Sequence, residues 1–356
     1  MITNRTARLR NLLHQFVLPD LEGSHSGGSV FNRGLLEALC TSGLGVTELS
    51  LAQAASVLHN PKPYYLWVDS LWLNELPRLR KLVRQHGSIG LLTHYLPSLV
   101  RYGAIPTRAQ LSLEELLALD ETDAFLVTSE FMQSAVGSLL LTPRPIIVVE
   151  PARTATKRAS AIAPAIPLFA VMVANLLPGK GVEPFLRALG EQTVHTDQYQ
   201  LEILGSHRMD PHYASACDQL VASQPTLSER VRFRHTSSPA EVIERISEAN
   251  LLVSASTMES YGMVLAEART IGVPILAHAG GNVENHVQER AGGEMVRSHA
   301  QLARAFLTLC RNTHSLTSRA EAAWQMALPT RSWLEAARDY IAQLPRLGST
   351  AWVQDQ

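Results

Sequence analysis

Two glutamates and a lysine carry the chemistry most readily read from this sequence. Glu259 and Glu267 are separated by seven residues in the run Glu259-Ser260-Tyr261-Gly262-Met263-Val264-Leu265-Ala266-Glu267. Lys180 closes the run Asn175-Leu176-Leu177-Pro178-Gly179-Lys180 and is followed by Gly181. Carboxylates accept hydrogen bonds from sugar hydroxyls, and a lysine ammonium is a compact point charge suited to phosphate. Lysine is scarce in this chain: of 31 basic side chains only Lys62, Lys81, Lys157 and Lys180 are lysines. Where arginine is so favoured, a lysine hints at a site that wants the smaller charge.

The elements around these residues say where they sit. Leu251–Ser254 is apolar and bounded by small polar residues, which predicts a short buried strand. A loop with Glu259 follows, and Gly262 permits a tight turn or a close approach to a ligand. From about Met263 the pattern turns helical, with Val264, Ala268 and Ile271 on one face and Met263, Glu267 and Thr270 on another. One carboxylate is therefore expected in the loop and the second one turn or so into the helix. Between them the helix N-terminus offers free N–H groups and a positive dipole, a seat for phosphate. Residues 273–277 predict the next strand, ending at Gly280-Gly281. A strand–helix–strand unit with two acids flanking an anion site suggests a nucleotide-sugar pocket.

This pattern resembles the E-x7-E signature of retaining glycosyltransferases of the GT-B fold, family-4 type. It is nearest to a group of short bacterial enzymes that read E-G-Y-G-M where this chain reads Glu259-Ser260-Tyr261-Gly262-Met263. The resemblance implies that Glu259 contacts hydroxyls of the donor sugar, Glu267 the ribose, and the N–H groups at Gly262 and Met263 the diphosphate, with Tyr261 beside them. The run ending at Lys180 is similar to the family's G-R-L-x-x-x-K-G segment, in which Arg and Lys clamp the donor diphosphate. Asn175 stands at the Arg position, as in the short group, and Gly179 replaces that group's compensating Arg. Arg208, in Gly205-Ser206-His207-Arg208, is the candidate substitute.

The first half predicts a second α/β unit. A strand at 13–18 is followed by Gly23-Ser24-His25-Ser26-Gly27-Gly28-Ser29 and a helix at about 30–40, the layout of a phosphate loop. The loop is neither G-x-G-x-x-G nor a Walker sequence, which argues against dinucleotide or ATP binding of the common kinds. It resembles instead the Gly-Gly loop of GT-B enzymes, so Gly27 and Gly28 are implied to lie across the donor diphosphate and the acceptor pocket. Further strands are predicted at 46–51, 65–68, 89–93, 125–128 and 146–149, with helices near 75–85, 113–119 and 130–140 between them. Ser112 and Glu115 fit a capping box for the second of these helices. Strands alternating with helices predict a parallel, doubly wound sheet, whose ligands bind beyond the carboxyl ends of the strands. His94 follows such an end, and the resemblance implies that it lines the sugar site. Asp69 and Glu130 also follow strands.

Residues 151–167 are poor in pattern and predict an interdomain linker; Pro151-Ala152-Arg153-Thr154 departs there from the family's Pro-Gly-x-Asp. In the second half, strands are expected at 168–173, 201–204 and 231–234, and Ser238 with Pro239 and Glu241 opens a helix. Helices near 301–311, 319–326 and 333–344 follow, the last resembling a terminal helix that crosses back to the first domain. The domains expected are 1–155 with 331–356, on the acceptor side, and 165–330, on the donor side.

Composition narrows the classes. The 356 residues are 46% hydrophobic and 18% charged, as in a globular protein of two domains. A formal charge of −1 leaves no basic footprint for nucleic acid. Cys40, Cys217 and Cys310 are odd in number and scattered, which predicts neither disulfides nor a zinc site and suits the reducing cytoplasm. No apolar run approaches the ~18 residues of a membrane span. Arg78, Arg80, Lys81 and Arg84 make one helix basic and amphipathic. It reads first as a sheet-packing helix with a solvated face, and second as a peripheral contact to the inner face of an anionic membrane. No Asp-x-Asp motif and no cluster with metal-ligand spacing appear, so the expectation is a metal-free enzyme.

Taken with the resemblance, the expected protein has the GT-B fold, two Rossmann-like doubly wound parallel-sheet domains facing across a cleft that excludes water on closing. The expected activity is retaining hexosyl transfer from a nucleoside diphosphate sugar to an acceptor hydroxyl, with no other cofactor. Glu259, His94 and Lys180 are the expected catalytic residues. A degenerate sugar-nucleotide binder and a GT-B sugar epimerase are the alternatives.

Overall fold

A computed structural model describes residues 12–20, 26–57, 64–83, 87–235 and 238–347. The first part of the Gly-rich run, Gly23 to His25, lies outside the described residues, as do Lys62 and Arg84. The chain divides into two compact units, one of residues 1–152 with 331–356 and the other of residues 153–330.

The first unit holds a six-stranded parallel sheet made of β1 (Leu13–Val17), β2 (Val46–Leu49), β3 (Tyr64–Asp69), β4 (Gly87–Thr93), β5 (Ala124–Val127) and β6 (Ile146–Val148). Its order is β2-β1-β3-β4-β5-β6. β3 is buried along its whole length, as expected of a strand covered by helices on both faces. The helix Gly27–Thr41 starts earlier than the apolar pattern suggested. Ser26 caps it, its Oγ accepting the Ser29 N–H at 3.1 Å, and so brings both glycines into the first turn. The expected capping box is formed at Ser112 and Glu115.

The terminal helix Trp333–Leu347 packs into this unit's core beside Phe16, Phe31 and Trp67. Tyr340 is fully buried; its hydroxyl accepts from Trp67 Nε1 at 2.8 Å and shares a hydrogen bond with His14 Nδ1 at 2.8 Å. Gly34 makes room for the Trp333 ring, which a Cβ there would meet at 2.2 Å. The basic helix is Leu76–Leu82; Leu79 is buried, Arg80 bonds Asp123 at 2.7 Å and Arg78 bonds Glu75 at 3.2 Å.

The second unit repeats the theme with β7 (Leu168–Val173), β8 (Tyr199–Leu204), β9 (Val231–Arg234), β10 (Leu251–Ser254), β11 (Ile275–His278) and β12 (Glu294–Val296). All neighbours are parallel, in the order β12-β11-β10-β7-β8-β9. Relative to the chain this is the Rossmann order 3-2-1-4-5-6. The helix Met263–Ile271 is more deeply buried than a two-faced pattern implies. Thr270, expected on a different face from Val264, Ala268 and Ile271, is buried and turns its hydroxyl back to Ala266 O at 2.9 Å, while Leu265, Ala268 and Ile271 join the core.

The span 151–167 is not a free connector along its length. Thr154 and Ala155 donate their N–H groups to Glu267, Arg158 N–H donates to Ile271 O, and the Arg158 guanidinium bonds Ala249 O and Gly272 O. A pattern-poor stretch thus runs along the second unit, held by polar contacts that no periodicity records.

Candidate functional site

In each sheet the strand order reverses at one place, and side chains of several predicted site residues collect at the carboxyl ends there. In the second unit the reversal lies between β7 and β10. Lys180 ends the short 3-10 turn Pro178–Lys180 after β7, and Glu259 lies in the loop after β10. The Lys180 ammonium donates to Glu259 Oε1 at 2.7 Å. Backbone stitching makes this meeting specific: Gly179 O accepts Thr257 N–H at 3.1 Å and Thr257 Oγ1 at 3.2 Å. The Lys180 side chain is 36% exposed and that of Glu259 18%. An ion pair this open to water is worth about 0–1 kcal/mol, so an incoming anion can replace the carboxylate at little cost.

Gly280 and Gly281 act on this loop from beneath. A Cβ on Gly280 would lie 2.0 Å from Thr257 O, and Gly281 has φ +62°. That close approach lets Asn282 N–H donate to Glu259 O at 2.7 Å. The glycine pair therefore shapes the backbone that carries Glu259.

Gly262 is left-handed, φ +87°, and starts the helix Met263–Ile271 with no side-chain cap. The first N–H groups of the helix thus have no side-chain acceptor from the capping position, consistent with an anion seat at Gly262 and Met263. Tyr261 is buried; its carbonyl accepts from Asn282 Nδ2 at 2.8 Å and from His286 Nε2 at 2.7 Å, and its phenol oxygen accepts from Arg153 Nη1 at 3.1 Å. Burial pushes the His286 imidazole down to about 4, so the ring is neutral and its Nε2–H can serve as that donor.

Glu267, one helical stretch on, accepts the Thr154 N–H at 3.1 Å and the Ala155 N–H at 2.9 Å. Burial raises its carboxyl above the ordinary range, while these two N–H groups and Arg153 work the other way. Asn175 spends its side-chain oxygen on Ser206 N–H at 2.9 Å. It fixes the loop after β8 that carries Arg208, whose side chain is exposed. Among the described residues no group of three or more His, Cys, Asp and Glu side chains is placed to hold a metal ion.

In the first unit the reversal lies between β1 and β3. The helix carrying Gly27 and Gly28 follows β1, Asp69 ends β3, and His94 follows β4. Gly28 abuts the imidazole, a Cβ there falling 3.3 Å from His94 Cδ2, and Phe31 meets the ring edge-on at 5.3 Å. His94 Nε2 bonds Asn32 Oδ1 at 2.8 Å, and Asn32 Nδ2 donates to Asp69 Oδ2 at 2.8 Å. Asp69 Oδ1 in turn accepts the Leu71 N–H at 2.9 Å. Burial lowers the His94 pKa, opposed by the Asp69 charge. Sequence reading did not single out Asn32. The available signal was a polar residue within a helix face whose neighbours Phe31, Leu35 and Leu39 are all buried.

Comparison with known proteins supplies context for both clusters. Residues 154–326 match the model of the family described as glycosyl transferases group 1, which takes in nearly all of the second unit. A D-inositol 3-phosphate glycosyltransferase of Nocardia farcinica (strain IFM 10152) is 30% identical over 155 residues, 41% of this chain and 33% of the relative. The chain spans 33% and 58% of the length of the first two curated relatives it matches. Among solved structures, sucrose-phosphate synthase from Thermosynechococcus elongatus matches with a TM-score of 0.73 at 18% identity, over 94% of this chain and 98% of that one. Anabaena HepE, in complex with UDP and glucose, matches with a TM-score of 0.71 at 15% identity, over 94% and 99%. The expected fold is thereby confirmed: two six-stranded parallel α/β sheets of the GT-B type.

Proposed function

We propose that this protein is a group 1 glycosyltransferase that moves a hexose from a nucleoside diphosphate sugar to an acceptor hydroxyl. The observation that carries the proposal is the Lys180–Glu259 pair at the switch point of a Rossmann-ordered sheet, beside the uncapped N-terminus of Met263–Ile271. Dinucleotides and nucleotide sugars are bound at such switch points, and a lysine with helix N–H groups can hold a diphosphate.

In this reading Lys180 and the N–H groups at Gly262 and Met263 take the diphosphate, and Arg208 adds charge from the neighbouring loop. The lysine also stabilises the negative charge that grows on the leaving diphosphate. Glu259, released from Lys180 by the incoming phosphate, accepts from sugar hydroxyls, and Glu267 from the ribose. His94, Gly27 and Gly28 belong to the acceptor side. We further propose that transfer retains the anomeric configuration and needs no metal, as the E-x7-E spacing and the availability of Lys180 for the diphosphate suggest. The candidate donors are UDP-, GDP- and ADP-linked sugars, and the candidate acceptors are carbohydrate and polyol hydroxyls.

The test is incubation of the full chain with those nucleotide sugars and a panel of hydroxyl acceptors. Release of nucleoside diphosphate together with a glycosylated acceptor supports transfer. An isomerised donor sugar would make the protein an epimerase, and tight binding without turnover would make it a sugar-nucleotide binder; either would overturn the proposal.

A further inference from the structure

With Asp69 as the carboxylate, the buried chain from His94 through Asn32 and Asp69 to the Leu71 N–H has one consistent set of proton positions. A backbone N–H can only donate, so Asp69 Oδ1 accepts from Leu71 at 2.9 Å. An ionised carboxylate offers no proton, so the Asn32 group 2.8 Å from Asp69 Oδ2 must be its NH2. That leaves the Asn32 oxygen facing His94 Nε2 at 2.8 Å, and Nε2 must carry the ring proton. Asp69 Oδ2 lies 3.5 Å from the same nitrogen and favours the N–H there too. The ring cannot easily escape this arrangement, since Gly28 and Phe31 pack against it and the Ser70 hydroxyl accepts the His94 N–H at 3.1 Å. His94 Nδ1, by contrast, has no hydrogen-bond partner among the described residues, and the side chain keeps 13% exposure.

We propose that Asn32 and Asp69 are positioning residues that lock His94 as the Nε2–H tautomer, so that Nδ1 presents a lone pair to a ligand hydroxyl. The proposal deepens the glycosyltransferase reading and rests on it for the identity of that hydroxyl, a sugar or acceptor O–H. The asparagine then has a specific purpose. A direct carboxylate–imidazole bond would pull the ring towards the charged form, whereas the interposed amide passes on the direction of the hydrogen bond and keeps the charge one residue away. A neutral ring can accept a hydroxyl proton or its hydrogen bond at Nδ1; an imidazolium can only donate.

The chain can be reversed without changing its shape, which makes the proposal testable. In Asp69→Asn the Leu71 N–H still demands an oxygen, so the new NH2 faces Asn32. Asn32 must then turn its oxygen to residue 69 and its NH2 to His94 Nε2, and the ring proton moves to Nδ1. Adding Asn32→Asp to Asp69→Asn restores an acceptor opposite Nε2 and returns the proton to it. Long-range 1H–15N correlation on histidine-labelled full-length protein, with His94 assigned through His94→Gln, reads the tautomer with no substrate present. The expected result is Nε2–H in the wild type, Nδ1–H in Asp69→Asn and Nε2–H again in the double swap. Transfer should follow the tautomer: kcat/KM down about 10- to 100-fold in Asp69→Asn, the cost of facing a hydroxyl donor with an N–H, and regained in part in the swap once the pH is high enough to keep the ring neutral against the carboxylate that then faces Nε2 directly. An unchanged tautomer in Asp69→Asn, or a switched tautomer with unchanged kcat/KM, overturns the proposal. Absence of transfer from any nucleotide sugar in the wild type would instead sink the glycosyltransferase reading, and with it the role in transfer, while leaving the proton positions to the spectra.

Discussion

Lys180→Ala separates a lysine that binds diphosphate from one that merely decorates a loop. In the free protein its partner is Glu259, at 2.7 Å, and both side chains reach solvent. Losing such a pair costs about 0–1 kcal/mol, which moves the unliganded Tm by no more than about 2–4 °C. Losing a charge-assisted hydrogen bond to a diphosphate costs more, about 1.5–3 kcal/mol, or a 10- to 150-fold weaker Kd. A nucleoside diphosphate at about 100 times the wild-type Kd stabilises the folded state by about 2.7 kcal/mol, and Tm should rise by about 5–10 °C. At the same concentration a variant with a 100-fold weaker Kd retains about 0.4 kcal/mol and a shift of about 1–2 °C. Thermal shift with UDP, GDP and ADP, followed by calorimetric titration of whichever binds, gives both quantities. Glu259→Gln supplies the opposite sign: freeing Lys180 from its carboxylate should leave diphosphate affinity unchanged or tighter. Equal stabilisation of wild type and Lys180→Ala by the same nucleotide, with matched unliganded Tm, would refute the reasoning.

The remaining expectations follow from the same contacts. Glu259→Gln should lower kcat with little change in donor KM, and Glu267→Gln should raise donor KM; near-wild-type kinetics in both would remove the glutamates from the site. Glu267→Gln should also lower Tm, because one of the N–H groups of Thr154 and Ala155 then faces an NH2, at about 1–3 kcal/mol. Turnover should survive excess EDTA, since Lys180 and a helix N-terminus can hold the diphosphate; loss of activity restored by Mg²⁺ or Mn²⁺ would count against that. Proton NMR of fresh product should show an α-linked product from an α-linked donor, with His94→Ala impaired rather than dead; a β-linked product with a dead His94→Ala would establish inversion. Tyr340→Phe should lower Tm by several degrees, because Trp67 Nε1 loses its buried acceptor and His14 Nδ1 its partner.

Local pattern was enough for most of the strands and for the helices with strong caps. Leu168–Val173, Val231–Arg234 and Leu251–Ser254 lie where their apolar runs predict, and Ser238 caps Pro239–Glu248 through the Glu241 N–H. These elements are defined by residues close in sequence, so periodicity and capping chemistry suffice. Elements with weak local signals went unread. Glu294–Val296 is a three-residue edge strand, Pro97–Tyr102 a six-residue helix, and Pro211–Ser223 a helix that buries only Ala214, Cys217 and Val221.

Sequence also placed Lys180, Glu259 and His94 at strand ends, but it could not say what each would touch. That depends on which strands become neighbours. β7 lies beside β10, so a lysine and a glutamate 79 positions apart meet. β3 lies between β1 and β4, which brings Asn32 and Asp69 to His94 across 62 and 25 positions. Hydrophobic pattern is indifferent to which of the central parallel strands lie side by side, because each of these buries both faces whatever its neighbour. Strand order is decided by crossover connections and by packing of the whole sheet. The chemical types at the candidate site were therefore legible residue by residue, while the pairing that gives the lysine its counter-ion and the histidine its tautomer came only with the folded sheet.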